Sequence, residues 1–237
     1  MTPAWVMPGA QSLIGLLPTR DGAPPYGTRP LADIDAMVIH FTGDPTPGGS
    51  VKGYDPWPSI FATATYQTTK KDGDLFPAFA YHFEATPAGD LFQAHALEAR
   101  TWHAGALGNQ TGIGVHLPGY GIKGWPAPLQ IALVASLKNR AELYLRRPIK
   151  VRPHKHYGQT ACCGENSWAI CHAIEQEAIR QMLDLDLIEG QLNGAWTARE
   201  TIMKANGELR SPVLENVAAA LFDCVTKIKA EIAKARG

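Results

Sequence analysis

The sequence has no long hydrophobic run, no excess of either charge and few cysteines. No stretch reaches the roughly 18 apolar residues of a membrane-spanning helix, so none is predicted. Lys plus Arg and Asp plus Glu each total 22, which leaves no net field to draw the chain onto nucleic acid or an anionic membrane. The N-terminus has no basic residue before Arg20, and Pro8, Gly9 and Pro18 break its apolar stretches, a pattern unlike a secretory signal. The expectation is a soluble protein made in the cytoplasm that needs another route to leave it.

What is present is the composition of an ordinary globular protein, 45% hydrophobic and 19% charged over 237 residues. That length suits one catalytic domain with a small appendage. Of the four cysteines, Cys162, Cys163 and Cys171 fall within ten positions beside His154 and His156. A disulfide framework spreads its cysteines along the chain, whereas Cys with His nearby points to metal. Cys171 and Cys224 sit in helical patterns and read as small buried hydrophobes.

Residues 1–33 are rich in Pro and Gly without periodicity and predict an extended arm. Ala36-Met37-Val38-Ile39-His40-Phe41-Thr42 is an apolar run of strand length with His40 near its C-terminal end. A Pro- and Gly-rich connection over 44–78, with a short helix near 59–68, is long enough to be a functional loop lining a cleft. Residues 79–84 and 90–94 read as a hairpin around Thr86-Pro87-Ala88-Gly89, and 112–117 as a further strand. Leu129, Leu133, Leu137, Ala141 and Tyr144 or Leu145 recur at helical spacing up to about 146. A short strand at 149–152 then delivers His154, and a helix marked by Trp168, Cys171, Ile174, Ile179 and Met182 runs to about 187. Strands mixed with helices predict an α/β fold with a mixed central sheet flanked by helices.

The last fifty residues look separate. A capping box at Thr197-Ala198-Arg199-Glu200 opens one helix, and Ser211-Pro212 opens another. Val213, Val217, Leu221, Cys224, Ile228 and Ile232 form its apolar stripe. This stripe packs on the catalytic domain or on the other tail helix, with self-association through it as the alternative. The expected organisation is an arm over 1–33, a catalytic domain over 34–187 and a helical tail over 188–237.

Zinc takes imidazole nitrogen and thiolate sulfur, and a catalytic site uses three protein ligands so that a fourth position stays open. His40 and His154 meet if their strands are neighbours, and the loop through Gly158 can return Cys162 to the same point. His156 replaces His154 if the loop turns the other way.

Val38-Ile39-His40-Phe41-Thr42, Tyr81-His82-Phe83, Trp102-His103-Ala104-Gly105, Asn109 through Gly112-Ile113-Gly114-Val115, and His154 through Thr160-Ala161-Cys162-Cys163-Gly164 occur in a definite order. Over roughly residues 34–185 the chain resembles the zinc N-acetylmuramoyl-L-alanine amidases of the phage-lysozyme and peptidoglycan-recognition type. The resemblance implies a zinc ion held by His40, His154 and Cys162 at the floor of a peptidoglycan groove. It places Tyr81 and Thr160 among the catalytic residues, and Trp102, His103 and Asn109 on the groove. The implied reaction cleaves the amide between N-acetylmuramic acid and L-alanine. The setting it suggests is a phage or prophage endolysin, or another wall-degrading module, acting on the bacterial cell wall. A binding module of the same fold that recognises peptidoglycan without cutting it is the alternative. Where the family has Cys-Pro-Gly this chain has Cys162-Cys163-Gly164, so Cys163 competes with Cys162 as ligand. His116 stands where related cytosolic amidases carry a Glu, which argues against a Glu-based mechanism.

Overall fold

In chain order the elements are β1 (Gln11–Ser12), a 3-10 turn (Leu31–Asp33), β2 (Ala36–Phe41), α1 (Ile60–Thr69), β3 (Phe83–Ala85), β4 (Leu91–Gln93), α2 (Gly105–Thr111), β5 (Gly112–Leu117), α3 (Pro128–Leu145), β6 (Lys150–Pro153), a second 3-10 turn (His154–His156) and α4 (Ser167–Met182). The computed structural model describes residues 5–21, 26–41, 60–69, 76–119, 124–160, 162 and 164–182. The expected tail helices, Cys224, Cys163 and the loop segments 42–59 and 70–75 lie outside the described residues. By its contacts the chain divides into Met1–Ile179 and Arg180–Gly237, and the sheet belongs to the first.

The strands form one mixed sheet in the order β1-β4-β3-β5-β2-β6. Only β3 and β4 pair antiparallel, as the expected hairpin, while β3, β5, β2 and β6 run parallel. Side chains alternate across a strand, so β2 and β5 sort their residues cleanly. Met37, Ile39, Phe41, Ile113, Val115 and Leu117 join the main apolar cluster, with Val134, Leu137 and Ala141 of α3 and Ile170, Ile174 and Ala178 of α4. Each large aliphatic side chain buried there contributes about 1.5–3 kcal/mol. The opposite face carries Val38, His40, Gly112, Gly114 and His116, all buried, which puts the polar groups of two central strands on one side.

Two elements differ from the sequence expectation. The first hairpin strand begins at Phe83 rather than at 79. The imidazole of His82 takes the ladder's place: its Nδ1 accepts the Gly114 N–H at 3.0 Å, while the backbone N–H of His82 donates to Gly114 O at 2.9 Å. In α3 the inward stripe is Gln130, Ile131, Val134, Leu137 and Ala141, and Leu129 is left 54% exposed. Gln130 sets that rotation. Its Nε2 donates to Ala85 O and Pro118 O, both at 2.9 Å, and its Oε1 accepts the Ala127 N–H, tying the start of the helix to the ends of β3 and β5.

The two ends of the sheet are finished differently. At one, β1 pairs with β4, and the Gln93 side chain clamps the preceding residues by accepting the Met7 N–H at 2.8 Å and donating to Trp5 O at 2.9 Å. At the other, β6 and the residue before it point alternate N–H groups away from β2. Those of Ile149 and Val151 go to Glu142 Oε1 of α3 and Glu175 Oε1 of α4, and Pro153 has none to offer.

Candidate metal centre

Pro153 pairs with Ile39 at the end of β6, so the residue that follows it must emerge beside His40. That residue is His154, and the two rings lie 4.6 Å apart. His156, the alternative by sequence, is exposed and packs edge-on against Tyr157 and Trp168 instead. The chain then turns back, with Thr160 Oγ1 accepting the Cys162 N–H at 3.0 Å. This turn brings Cys162 Sγ to 3.4 Å from His40 Nδ1. One donor atom from each of His40, His154 and Cys162 lies within 4.8 Å of the others.

Bonds of about 2.0–2.3 Å in a tetrahedral zinc site put ligand atoms roughly 3.3–3.8 Å apart, so the trio needs only a small closure around an ion. Two imidazoles and one thiol suit a borderline-soft metal and leave a fourth position open. Burial lowers the pKa of His40 below the usual histidine value, opposed by the neighbouring Cys162. A neutral imidazole is the form that binds metal.

Tyr81 sits above this floor. Its ring is 4.8 Å from that of His40 and stacks on His116 at 4.9 Å with a 7° tilt. His116 is the register partner of His40 on β5, and Glu84 of β3 is the register partner of His116. A row Glu84–His116–His40 therefore crosses three strands on one face. Glu84 Oε2 and His116 Nδ1 meet at 2.8 Å, both almost wholly buried. Sequence reasoning missed Glu84; its signal was a lone carboxylate in an apolar hairpin strand.

The three residues expected on the groove fall differently. Trp102 is 45% exposed, with its ring 6.0 Å from that of Tyr26. Asn109 lies on α2, which was not anticipated, and its Oδ1 accepts the N–H groups of His103 and Ala104 at 2.8 Å. His103 is buried, with Nδ1 at 3.0 Å from His40 Nε2 and Nε2 at 3.1 Å from Gly112 O. Burial, and after it the neighbouring His40, pushes its pKa well below the usual value.

Arg29, also unanticipated, is buried behind this layer. Its guanidinium donates to the carbonyls of Leu97, Asn109 and Gly112, and burial lowers its pKa to about 10. Cys171 is buried in α4, where burial pushes its thiol up to about 12, so it packs as a small hydrophobe.

The profile of the N-acetylmuramoyl-L-alanine amidase family matches residues 30–165, more than half of the chain. The chain belongs to that family. No curated protein matches it in sequence. Among solved structures it is similar to peptidoglycan recognition protein SD of Drosophila, with 17% identity over 68% of this chain and 92% of that one and a TM-score of 0.52. Peptidoglycan recognition protein LE, solved in complex with tracheal cytotoxin, matches at 14% identity over 69% and 92%, with a TM-score of 0.51. The endolysin amidase LysCS of Clostridium intestinale matches at 17% identity over 66% and 95%, with a TM-score of 0.46. At such identities the likeness of this family member to the two recognition proteins shows the architecture: a mixed sheet flanked by helices. No helix among the described residues is long and apolar enough to cross a membrane.

Proposed function

We propose that the chain is a zinc-dependent hydrolase that cleaves the amide between N-acetylmuramic acid and L-alanine in peptidoglycan, as an endolysin or similar wall-degrading module. The observation that carries this reading is the convergence of donor atoms from His40, His154 and Cys162 within 4.8 Å, beneath Tyr81 in a member of the amidase family. Zinc bound there would supply Lewis acidity to the scissile carbonyl and to the attacking water.

The chain's own residues do the rest. Amide hydrolysis builds negative charge on the carbonyl oxygen, and the phenol of Tyr81, whose ring stacks on His116 beside His40, would donate a hydrogen bond to it in this reading. The Thr160 hydroxyl accepts the Cys162 N–H and still has a proton to donate. Both hydroxyls are candidates to carry a proton toward the departing amine. Trp102, half exposed, offers an apolar face to a sugar ring or stem peptide. The solved complex of a similar recognition protein with a peptidoglycan fragment supports peptidoglycan as partner.

The test is metal analysis of the purified protein together with mass spectrometry of digested peptidoglycan. About one zinc per chain, release of intact stem peptides beginning with L-alanine, loss with chelator and recovery with zinc are expected. Unchanged activity in a His40→Ala, His154→Ala double variant would overturn the reading. Bound zinc without release of stem peptide would point instead to a non-cleaving binding module.

A further inference from the structure

Gly112 and Gly114 alternate on the polar face of β5. Glycine inside a strand weakens it and marks a place where another group comes close. Here that group is the ring of His103. A Cβ on Gly114 would stand 2.9 Å from His103 Cγ, and one on Gly112 would stand 3.2 Å from His103 Cε1 and 2.5 Å from Val38 Cγ2. The two glycines form a slot, and an imidazole fills it.

Within the slot the hydrogen bonds have only one consistent direction. A backbone carbonyl only accepts, so at 3.1 Å from Gly112 O the proton of a neutral His103 is on Nε2. Its Nδ1 then carries a lone pair, and His40 Nε2, 3.0 Å away, meets it as an N–H donor. A neutral His40 protonated on Nε2 keeps its own lone pair on Nδ1. That is the atom facing Cys162 Sγ.

We propose that His103 is a positioning residue that, backed by the Gly112 carbonyl, locks His40 in the Nε2–H tautomer and so presents Nδ1 to the metal. The proposal rests on the metal reading of the trio above. Two further contacts serve it. Asn109 Oδ1 fixes the backbone on which His103 is mounted. Arg29 Nη1 donates to the same Gly112 carbonyl at 2.7 Å and to Asn109 O at 2.9 Å, so the acceptor that sets the relay is itself held in place. A metal-bound histidine is oriented by the partner of its other nitrogen, and loss of such a partner typically weakens metal binding about 10- to 100-fold.

The test uses the full-length chain. In metal-free, 15N-labelled protein at neutral pH, long-range proton–nitrogen correlation spectra should show His40, assigned by its loss in His40→Asn, protonated on Nε2 and bare on Nδ1. Zinc affinity is then measured against a competing chromophoric chelator. His103→Phe keeps a flat ring but has no acceptor, and should weaken binding about 10- to 100-fold. His103→Gln, whose Oε1 and Nε2 supply an acceptor and a donor, should bind zinc more tightly than the Phe variant. The reverse order, as a packing role would give, overturns the proposal, and so does a wild-type His40 protonated on Nδ1. If His103→Phe does not fold, the wild-type tautomer still decides. If the wild-type chain binds no zinc, the metal reading falls, whereas the tautomer of His40 in the metal-free protein tests the relay by itself.

Discussion

Glu84 and His116 face each other in register on neighbouring parallel strands, their side chains joined at 2.8 Å with almost no exposure to solvent. His116 in turn lies between Glu84 and His40, beneath the ring of Tyr81. Removing one partner of a buried hydrogen bond leaves the other unsatisfied, at a cost of roughly 1–3 kcal/mol. Glu84→Ala is expected to lose stability on that scale in urea unfolding. Glu84→Gln, which keeps an acceptor for the His116 ring, should lose distinctly less; equal losses would show that the bond itself contributes little.

Acid should destabilise the metal-free protein from an unusually high pH. His40, His82, His95 and His103 all have pKa values lowered chiefly by burial. Below the unfolded histidine value of about 6.5 the unfolded chain takes up protons that these buried rings refuse, so stability is full above that pH and falls beneath it. Each ring contributes a slope of up to about 1.4 kcal/mol per pH unit until its folded pKa is reached. Urea midpoints measured in chelator across the range from neutral to mildly acidic should fall with pH; a flat profile would contradict the burial of these rings.

Gly114→Ala should cost about 1–3 kcal/mol, as overpacking does, because its Cβ would press on His103 at 2.9 Å. Gly158→Ala is the matched control: its Cβ would meet nothing within 4 Å, so the change should be neutral or stabilise by up to about 1 kcal/mol. Thermal denaturation of the two variants side by side checks the contrast.

Zinc should raise the melting temperature. A ligand at a hundredfold excess over its Kd adds about 2.7 kcal/mol to folding, which for a domain of this size is a rise of roughly 5–10 °C. The shift should vanish in Cys162→Ala, and its persistence there would remove Cys162 from the ligand set.

Arg146 closes α3 in the left-handed region at φ 55°, the only non-glycine residue with positive φ among the described residues. Arg146→Gly relieves that strain and is expected to stabilise the fold by about 0.5–1 kcal/mol, as read from its urea midpoint.

Much of the fold was legible because strand runs and helical periods are local. The strands at 36–41 and 112–117, the hairpin and both long helices lie close to their expected positions. The rotation of α3 was not legible: apolar residues recur at helical spacing through Leu129 as well as through Ile131, and the choice depends on where Gln130 finds the carbonyls of Ala85 and Pro118. The start of β3 was hidden for a similar reason, since the His82 side chain replaces a backbone partner on β5. The donor trio was readable from residue type and order along the chain. What surrounds it was not. His103 belongs to a motif expected on a groove, yet it is bonded to His40, and only the two glycines of Gly112-Ile113-Gly114 hinted that something had to fit there. Arg29 carried no signal, because its partners, backbone carbonyls and the His82 ring, are distant in sequence.

The carboxylates of Glu142 and Glu175, which take the outward N–H groups of Ile149 and Val151, protect the molecule from its own copies. An outermost strand with free donors is a template on which a second chain can add a strand and begin a fibril. On β6 every such donor is occupied or, at Pro153, missing. The strand that delivers His154 to the candidate metal centre thereby spends its outward N–H groups within its own fold, and a second chain finds no free donor there on which to add a strand.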